Sequence, residues 1–208
     1  MMKQARLRQL FSIFLLALLL ISCSDKKPSL NPLSSDAVIL AFGDSLTYGI
    51  GANSKTESYP AILSQLTGLQ VINEGISGEI SQHGLERLPD VLQTYKPQLV
   101  ILCHGGNDII RKLGKVQLKN NLDRMIALIK NTGAEVVLIG VPNFNLMLSV
   151  PDLYQELALK HTSPIELELL PEIERNPKMK SDQIHPNGQG YNLMAERMHE
   201  LLQYSGAL

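Results

Sequence analysis

Four short polar blocks contain the residues of this sequence whose types and spacing could do chemistry. They are Gly43-Asp44-Ser45-Leu46, Ile76-Ser77-Gly78-Glu79, Gly105-Gly106-Asn107-Asp108 and Asp182-Gln183-Ile184-His185-Pro186. A serine hydroxyl is a weak nucleophile until a base removes its proton, histidine is the usual base, and a carboxylate orients the histidine. Acyl transfer would therefore assign Ser45 as the nucleophile, His185 as the base and Asp182 as the orienting carboxylate.

The same chemistry needs hydrogen-bond donors that are already in place when an oxyanion develops. Gly78 can offer its backbone N–H with no side chain in the way, and Asn107 can offer its side-chain amide from a Gly-Gly turn. With the backbone N–H of Ser45, these groups form the predicted oxyanion hole.

Each block alone has an ordinary structural interpretation. Asp44-Ser45 is also typical of a turn followed by a helix cap, and Gly105-Gly106-Asn107-Asp108 is typical of a turn. An Asp-x-x-His pair such as Asp182 and His185 also occurs at helix starts and on surfaces. For Asp44 and Asp108 we expect bonds to loop backbones, and for His104 a structural role.

Apolar segments precede the serine and asparagine blocks directly and the glycine block at a short distance. Residues 37–42 and 99–103 are unbroken apolar runs, which are typical of strands buried on both faces of a parallel sheet. In open α/β sheets, ligands bind just outside the carboxyl ends of the strands. We therefore expect Ser45 at the mouth of a crevice, and Cys103 as a small buried apolar residue.

The remaining pattern alternates strands with helices. Strands are predicted at 37–42, 69–73, 99–104 and 136–140, and helices at 59–66, 80–95, 116–131, 148–160 and 190–204, with Pro89 kinking or splitting the second helix. Residues 165–170 fit either a fifth strand or a loop. This alternation predicts a parallel sheet with helices on both faces, in a single domain over residues 37–208.

In their order, the four blocks resemble those of the GDSL, or SGNH, hydrolase family. The family's four named residues fall on Ser45, Gly78, Asn107 and His185, with Asp182 three residues before the histidine. The resemblance runs from about Val38 to the end of the last helix, and residues 76–89 look most like the bacterial thioesterase I/lysophospholipase/arylesterase branch. It implies a flavodoxin-like, three-layer α/β/α fold with a mainly parallel five-stranded sheet.

The resemblance also implies a serine esterase that needs no cofactor. Its expected substrates are medium-chain acyl esters or lysophospholipids, with thioesters left open, and the lysine-containing segment 108–115 would shape the acyl site. One alternative is an SGNH deacetylase acting on acetylated envelope sugars, and another is a catalytically silent binding lipoprotein. No metal site is expected, because Asp182 and His185 are a single pair of ligands.

The amino terminus is typical of a bacterial lipoprotein signal peptide over residues 1–22. Lys3, Arg6 and Arg8 precede the short apolar run 10–21, which is too short to span a bilayer comfortably. Cys23 then ends a sequence that resembles a lipobox, which implies lipid attachment there. We expect a flexible linker up to Asp36 and a periplasm-facing location in the cell envelope, the outer membrane being favoured; an uncleaved signal anchor is the alternative.

The overall composition excludes some partners. The 208 residues carry a formal net charge of −1 and contain no basic block, so nucleic acid is not an expected partner. The sequence implies no protein partner either. The membrane is expected to be reached through the lipid on Cys23.

Overall fold

The computed structural model describes residues 29–208, so the predicted signal peptide and Cys23 lie outside the described residues. In chain order the elements are β1 (Val38–Gly43), α1 (Ser45–Tyr48), α2 (Tyr59–Thr67), β2 (Gln70–Gly75), α3 (Ser81–Tyr95), β3 (Leu99–Cys103), α4 (Gly106–Ile110), α5 (Lys115–Asn131), β4 (Glu135–Ile139), α6 (Asp152–His161), β5 (Ile165–Glu166), α7 (Leu169–Arg175), a 3₁₀ turn (Pro177–Met179) and α8 (Gly188–Tyr204). None of the helices in this described part is long and apolar enough to cross a membrane.

The strands form one sheet in the order β2-β1-β3-β4-β5, and every neighbouring pair is parallel. The chain moves from β1 to β2 in one direction and then returns past β1 to β3. Because such crossovers are right-handed, this reversal puts α2 and α3 on opposite faces of the sheet. Helices α2 and α8 pack together, as do α3 and α5. The predicted three-layer α/β/α fold is confirmed.

The reversal places the carboxyl ends of β1 and β3 side by side. Gly43 at the end of β1 pairs with Cys103 at the end of β3. A Cβ atom at residue 43 would lie 2.1 Å from the Cys103 carbonyl oxygen, so only glycine allows this approach. The loops that follow the two strands therefore begin next to each other at one edge of the sheet.

Two predicted elements need correction, and the structure decides a third that the sequence left open. Pro89 does not split its helix, because α3 continues through it while Leu85, Leu88 and Leu92 stay buried on one side. The helix predicted from residue 148 begins only at Asp152, after Pro151 in extended conformation. The undecided segment 165–170 is a two-residue strand followed directly by α7.

The final part of the predicted flexible linker, from Leu30 onwards, belongs to the folded domain. The backbone N–H groups of Leu30 and Leu33 bind the carbonyls of Ser205 and Ala207. The Leu30 side chain is buried. Asn31 donates to Glu135, the first residue of β4, and Ser34 donates to Gln98, which immediately precedes β3. The chain therefore joins the fold at the amino-terminal ends of these strands.

Candidate active site

Ser45 lies directly outside the carboxyl end of β1, as expected, but it begins a short helix rather than a loop. Asp44 caps this helix, because its carboxylate accepts the N–H of Leu46 at 3.1 Å. Ser45 itself is 9% exposed. Asp44 accepts a backbone N–H as predicted, but the donor is in a helix and not in a loop. The bond holds the first helical turn, in which Ser45 lies.

The structure brings Ser45, His185 and Asp182 into one hydrogen-bonded chain. The Nε2 atom of His185 lies 3.0 Å from the Ser45 hydroxyl oxygen, and its Nδ1 atom lies 2.7 Å from Asp182 Oδ2. The other carboxylate oxygen of Asp182 accepts the backbone N–H groups of Ile184 and His185, both at 2.8 Å. Because Nδ1 faces a carboxylate, it carries the proton and leaves Nε2 free to accept one.

The environment keeps Asp182 ionised. Burial raises the pKa of this carboxyl, but the hydrogen bonds from the Ile184 N–H and from His185 outweigh it and hold the pKa below its usual range. The loop that carries Asp182 and His185 is also anchored by Lys180, whose Nζ atom donates to the Gln183 carbonyl and to the Glu174 carboxylate, both at 2.8 Å. His185 is therefore oriented by a charged and anchored loop.

Gly78 and Asn107 face Ser45 across a cavity of about 130 Å³. Gly78 has a φ angle of +77°, which favours glycine, and its carbonyl accepts a hydrogen bond from Arg111. Asn107 lies in the first turn of α4 rather than on the predicted turn. Its Nδ2 atom donates to the Glu79 carbonyl at 3.0 Å and lies 3.4 Å from Asp44 Oδ2.

A groove of about 680 Å³ adjoins this cavity. The two spaces share Ile110, Phe144 and Ile184 in their walls. Lys112 and Lys115, from the segment predicted to shape the acyl site, lie along the groove. Phe144 was not singled out from the sequence, since it lies on the loop after β4 and carries no motif; its position after an apolar strand is the one available signal.

Several other polar residues near the site are buried in the fold or hold its backbone in place. Asp108 accepts the backbone N–H and the hydroxyl of Ser81, so its predicted backbone bond is confirmed. His104 and Cys103 are fully buried, and burial raises the pKa of the Cys103 thiol well above its usual value. Within residues 29–208, no group of three histidine, cysteine or acidic side chains is placed to hold a metal ion.

A family model and two curated relatives match most of this chain. The model of the GDSL-like lipase/acylhydrolase family matches residues 41–193. An arylesterase of Vibrio mimicus is 32% identical over 171 residues, covering 76% of this chain and 84% of that protein. The thioesterase 1/protease 1/lysophospholipase L1 of Escherichia coli K12 is 31% identical over 175 residues, covering 79% of this chain and 83% of that protein.

A solved structure agrees with these sequence relatives. The crystal structure of TesA superposes with a TM-score of 0.72 at 26% identity, covering 81% of this chain and 99% of that one. The similarity therefore extends to the arrangement of strands and helices.

Proposed function

Because the chain belongs to the GDSL-like lipase/acylhydrolase family and is an ester-hydrolysing enzyme, we propose that Ser45, His185 and Asp182 carry out the hydrolysis. The observation that supports these roles is the hydrogen-bonded chain from Ser45 Oγ through His185 to Asp182. It ends in a cavity with Gly78 and Asn107 on its walls.

In the first half of the reaction, the Ser45 oxygen attacks the ester carbonyl carbon while His185 Nε2 takes the hydroxyl proton. The resulting oxyanion accepts hydrogen bonds from the N–H groups of Ser45 and Gly78 and from the Asn107 amide. His185 then gives its proton to the leaving alcohol, the ester C–O bond breaks, and an acyl-enzyme remains. Asp182 stabilises the positive charge that His185 carries between these steps.

In the second half, water replaces the alcohol. His185 takes a proton from the water, the hydroxide oxygen attacks the acyl carbon, and the same donors hold the second oxyanion. When this intermediate collapses, the proton returns to Ser45 and the carboxylic acid leaves. The wall of Ile110, Phe144 and Ile184 would hold the acyl chain during both steps.

The shape of the site favours a medium acyl chain. The cavity beside Ser45 is small, but it leads along a shared apolar wall to the much larger groove. Each methylene buried there would contribute about 0.8 kcal/mol, so specificity should rise with chain length until the groove is filled. Lys112 and Lys115 lie where a phosphate head group could bind them.

Two relatives guide the choice of substrate class. One is named an arylesterase, and another is named a thioesterase and lysophospholipase. We infer that lysophospholipids and other medium-chain esters are the substrates in the cell envelope, to which a lipid on Cys23 would fix the chain. An enzyme in the cell envelope would not encounter the thioesters of the cytoplasm.

The test is the specificity constant kcat/KM for nitrophenyl esters of two to twelve carbons, with a lysophospholipid and an acetylated glycan beside them. We expect a maximum at medium length and cleavage of the lysophospholipid. If kcat/KM is highest for the acetate ester and the glycan is turned over, the protein is a deacetylase and this proposal is wrong. A fluorophosphonate probe should label wild-type protein and not Ser45→Ala; a wild type that remains unlabelled and inactive would favour a binding protein.

A further inference from the structure

Three ionisable side chains form a buried cluster next to the proposed oxyanion hole without lining its cavity. We call Glu79, Arg87 and His104 the Glu79 cluster. Arg87 Nε donates to Glu79 Oε1 at 2.7 Å, and Arg87 Nη2 donates to Glu79 Oε2 at 2.9 Å. His104 Nε2 lies 3.2 Å from Glu79 Oε2. The exposed fractions of the three side chains are 5%, 19% and 0%.

Hydrogen bonding defines the charge state inside the cluster. Burial raises the pKa of the Glu79 carboxyl, but the bonds from His104 and Arg87 outweigh it, and the pKa lies below its usual value. Because Nε2 of His104 faces this carboxylate, it carries the proton and donates it. Gly84 makes room for the ring, since a Cβ atom there would lie 2.4 Å from His104 Nε2.

Arg87 connects the cluster to the ends of two strands. Its Nη2 atom donates to the Glu74 carbonyl at 2.8 Å, and Nη1 lies 3.2 Å from the Glu74 carboxylate. The guanidinium also lies over the ring of Phe42, 4.0 Å from its centroid. One side chain from α3 therefore contacts β1 just before Ser45 and β2 just before the glycine block.

The cluster is connected to two of the proposed oxyanion donors through the backbone. Glu79 is the residue after Gly78, and its carbonyl accepts the Asn107 amide at 3.0 Å. His104 precedes Asn107 by three residues at the end of β3, so the Glu79–His104 bond links the two loops a second time. A shift of Glu79 would displace Gly78 and Asn107 together.

We propose that Arg87 and Glu79, with His104, are positioning residues of the oxyanion hole. They hold the loops of Gly78 and Asn107 at a fixed separation, so that the two donors are in place before the oxyanion forms. The inference rests on the proposed function, because it assigns a purpose to the geometry of those donors. A purely structural ion cluster would affect stability and leave the catalytic step unchanged.

The test compares kcat and KM of Arg87→Met and Glu79→Gln with wild type, using a monomeric short-chain nitrophenyl ester. Circular dichroism sets an assay temperature at which all variants are folded. We expect kcat to fall on the order of 10–100-fold, since small misplacements of reacting groups have effects of this size, while KM stays within about twofold. Where Arg87→Met is too unstable to assay, the nearly isosteric Glu79→Gln decides.

Arg197→Met is the matched control. Arg197 lies on α8, away from the four blocks, and forms an ion pair with Glu172 of α7 at 3.1 Å. This variant should leave kcat unchanged. Variants of the Glu79 cluster with unchanged kcat, or with a raised KM alone, would overturn the inference. A wild type without esterase activity would instead contradict the proposed function.

Discussion

Removal of the Asn107 side chain is the most informative perturbation of the site. Its amide carries two N–H groups. The nitrogen lies 3.0 Å from the Glu79 carbonyl oxygen and 3.4 Å from Asp44 Oδ2. Because the Asp44 contact is long and therefore weak, we expect an oxyanion to replace it, while the bond to Glu79 keeps the amide in its orientation.

The expected loss of kcat follows from the number of oxyanion donors. Asn107→Ala removes one of three, and loss of a single oxyanion donor lowers kcat by about 10²–10³-fold, or about 2.7–4 kcal/mol. The backbone N–H groups of Ser45 and Gly78 remain, so activity should persist above background. Because the ground-state ester carries little charge on its oxygen, KM should change much less than kcat.

The assay is steady-state hydrolysis of a short-chain nitrophenyl ester at constant pH, well below the melting temperature. Asn192→Ala is the matched control, since it deletes an amide that binds Glu196 on the exposed side of α8. It should leave both constants unchanged. A rise in KM with constant kcat in Asn107→Ala would refute the reasoning and make Asn107 a residue that binds the substrate.

Three further predictions concern the proposed catalytic residues and their support. Ser45→Ala should lower turnover by on the order of 10⁴-fold or more and leave the fold intact by circular dichroism; activity in clean variant protein would exclude Ser45 as the nucleophile. The pKa of Asp182 is lowered in the folded state, so its carboxylate stabilises the protein at any pH above the usual pKa of 3.8, and this contribution is lost as the pH falls below 3.8. The difference in melting temperature between wild type and Asp182→Asn should therefore be largest near pH 7 and should disappear below about pH 3.8. A difference that stays constant with pH would contradict this prediction. Lys180→Met leaves the buried Glu174 carboxylate unpaired, which should destabilise the fold by about 3–5 kcal/mol and lower the melting temperature by at least about 6 °C. Burial holds the pKa of Glu174 above its usual value of 4.5 even beside Lys180, and loss of Lys180 raises it further. This deficit should therefore shrink as the pH falls from 7 towards these raised pKa values and be small by pH 4.5; Lys178→Met, on the 3₁₀ turn, is the control.

The strands and the four blocks could be predicted because their signals are local. The runs 37–42 and 99–103 are apolar without interruption, and both are buried strands in the structure. Asn107 and Ser45 could be placed near each other because strand ends in a parallel sheet meet at one edge. The distance between the two side chains could not be predicted, because it depends on how closely β1 and β3 approach each other at Gly43.

The wrong or missing predictions concern features that depend on tertiary packing more than on local preference. Proline disfavours a helix interior, but the burial of Leu88 and Leu92 on either side of Pro89 keeps α3 continuous. Strand β5 has two residues and gives no periodic signal. The groove is formed by loops distant in sequence, around Lys112 and Phe144, so no single segment could indicate it.

The bound amino-terminal segment fixes the place where the chain enters the domain. Asn31 and Ser34 are fastened at the sheet edge opposite the one that carries Ser45, and a six-residue strand spans about 20 Å. From Cys23 to Leu30 the chain reaches at most about 25 Å. If Cys23 carries a lipid, the domain would be held from the side opposite Ser45, an arrangement that favours a site turned away from the membrane. Such an enzyme would bind molecules that have already left the bilayer, as single-chain, detergent-like lysolipids do. Two-chain phospholipids, which stay in the bilayer, would not reach its site.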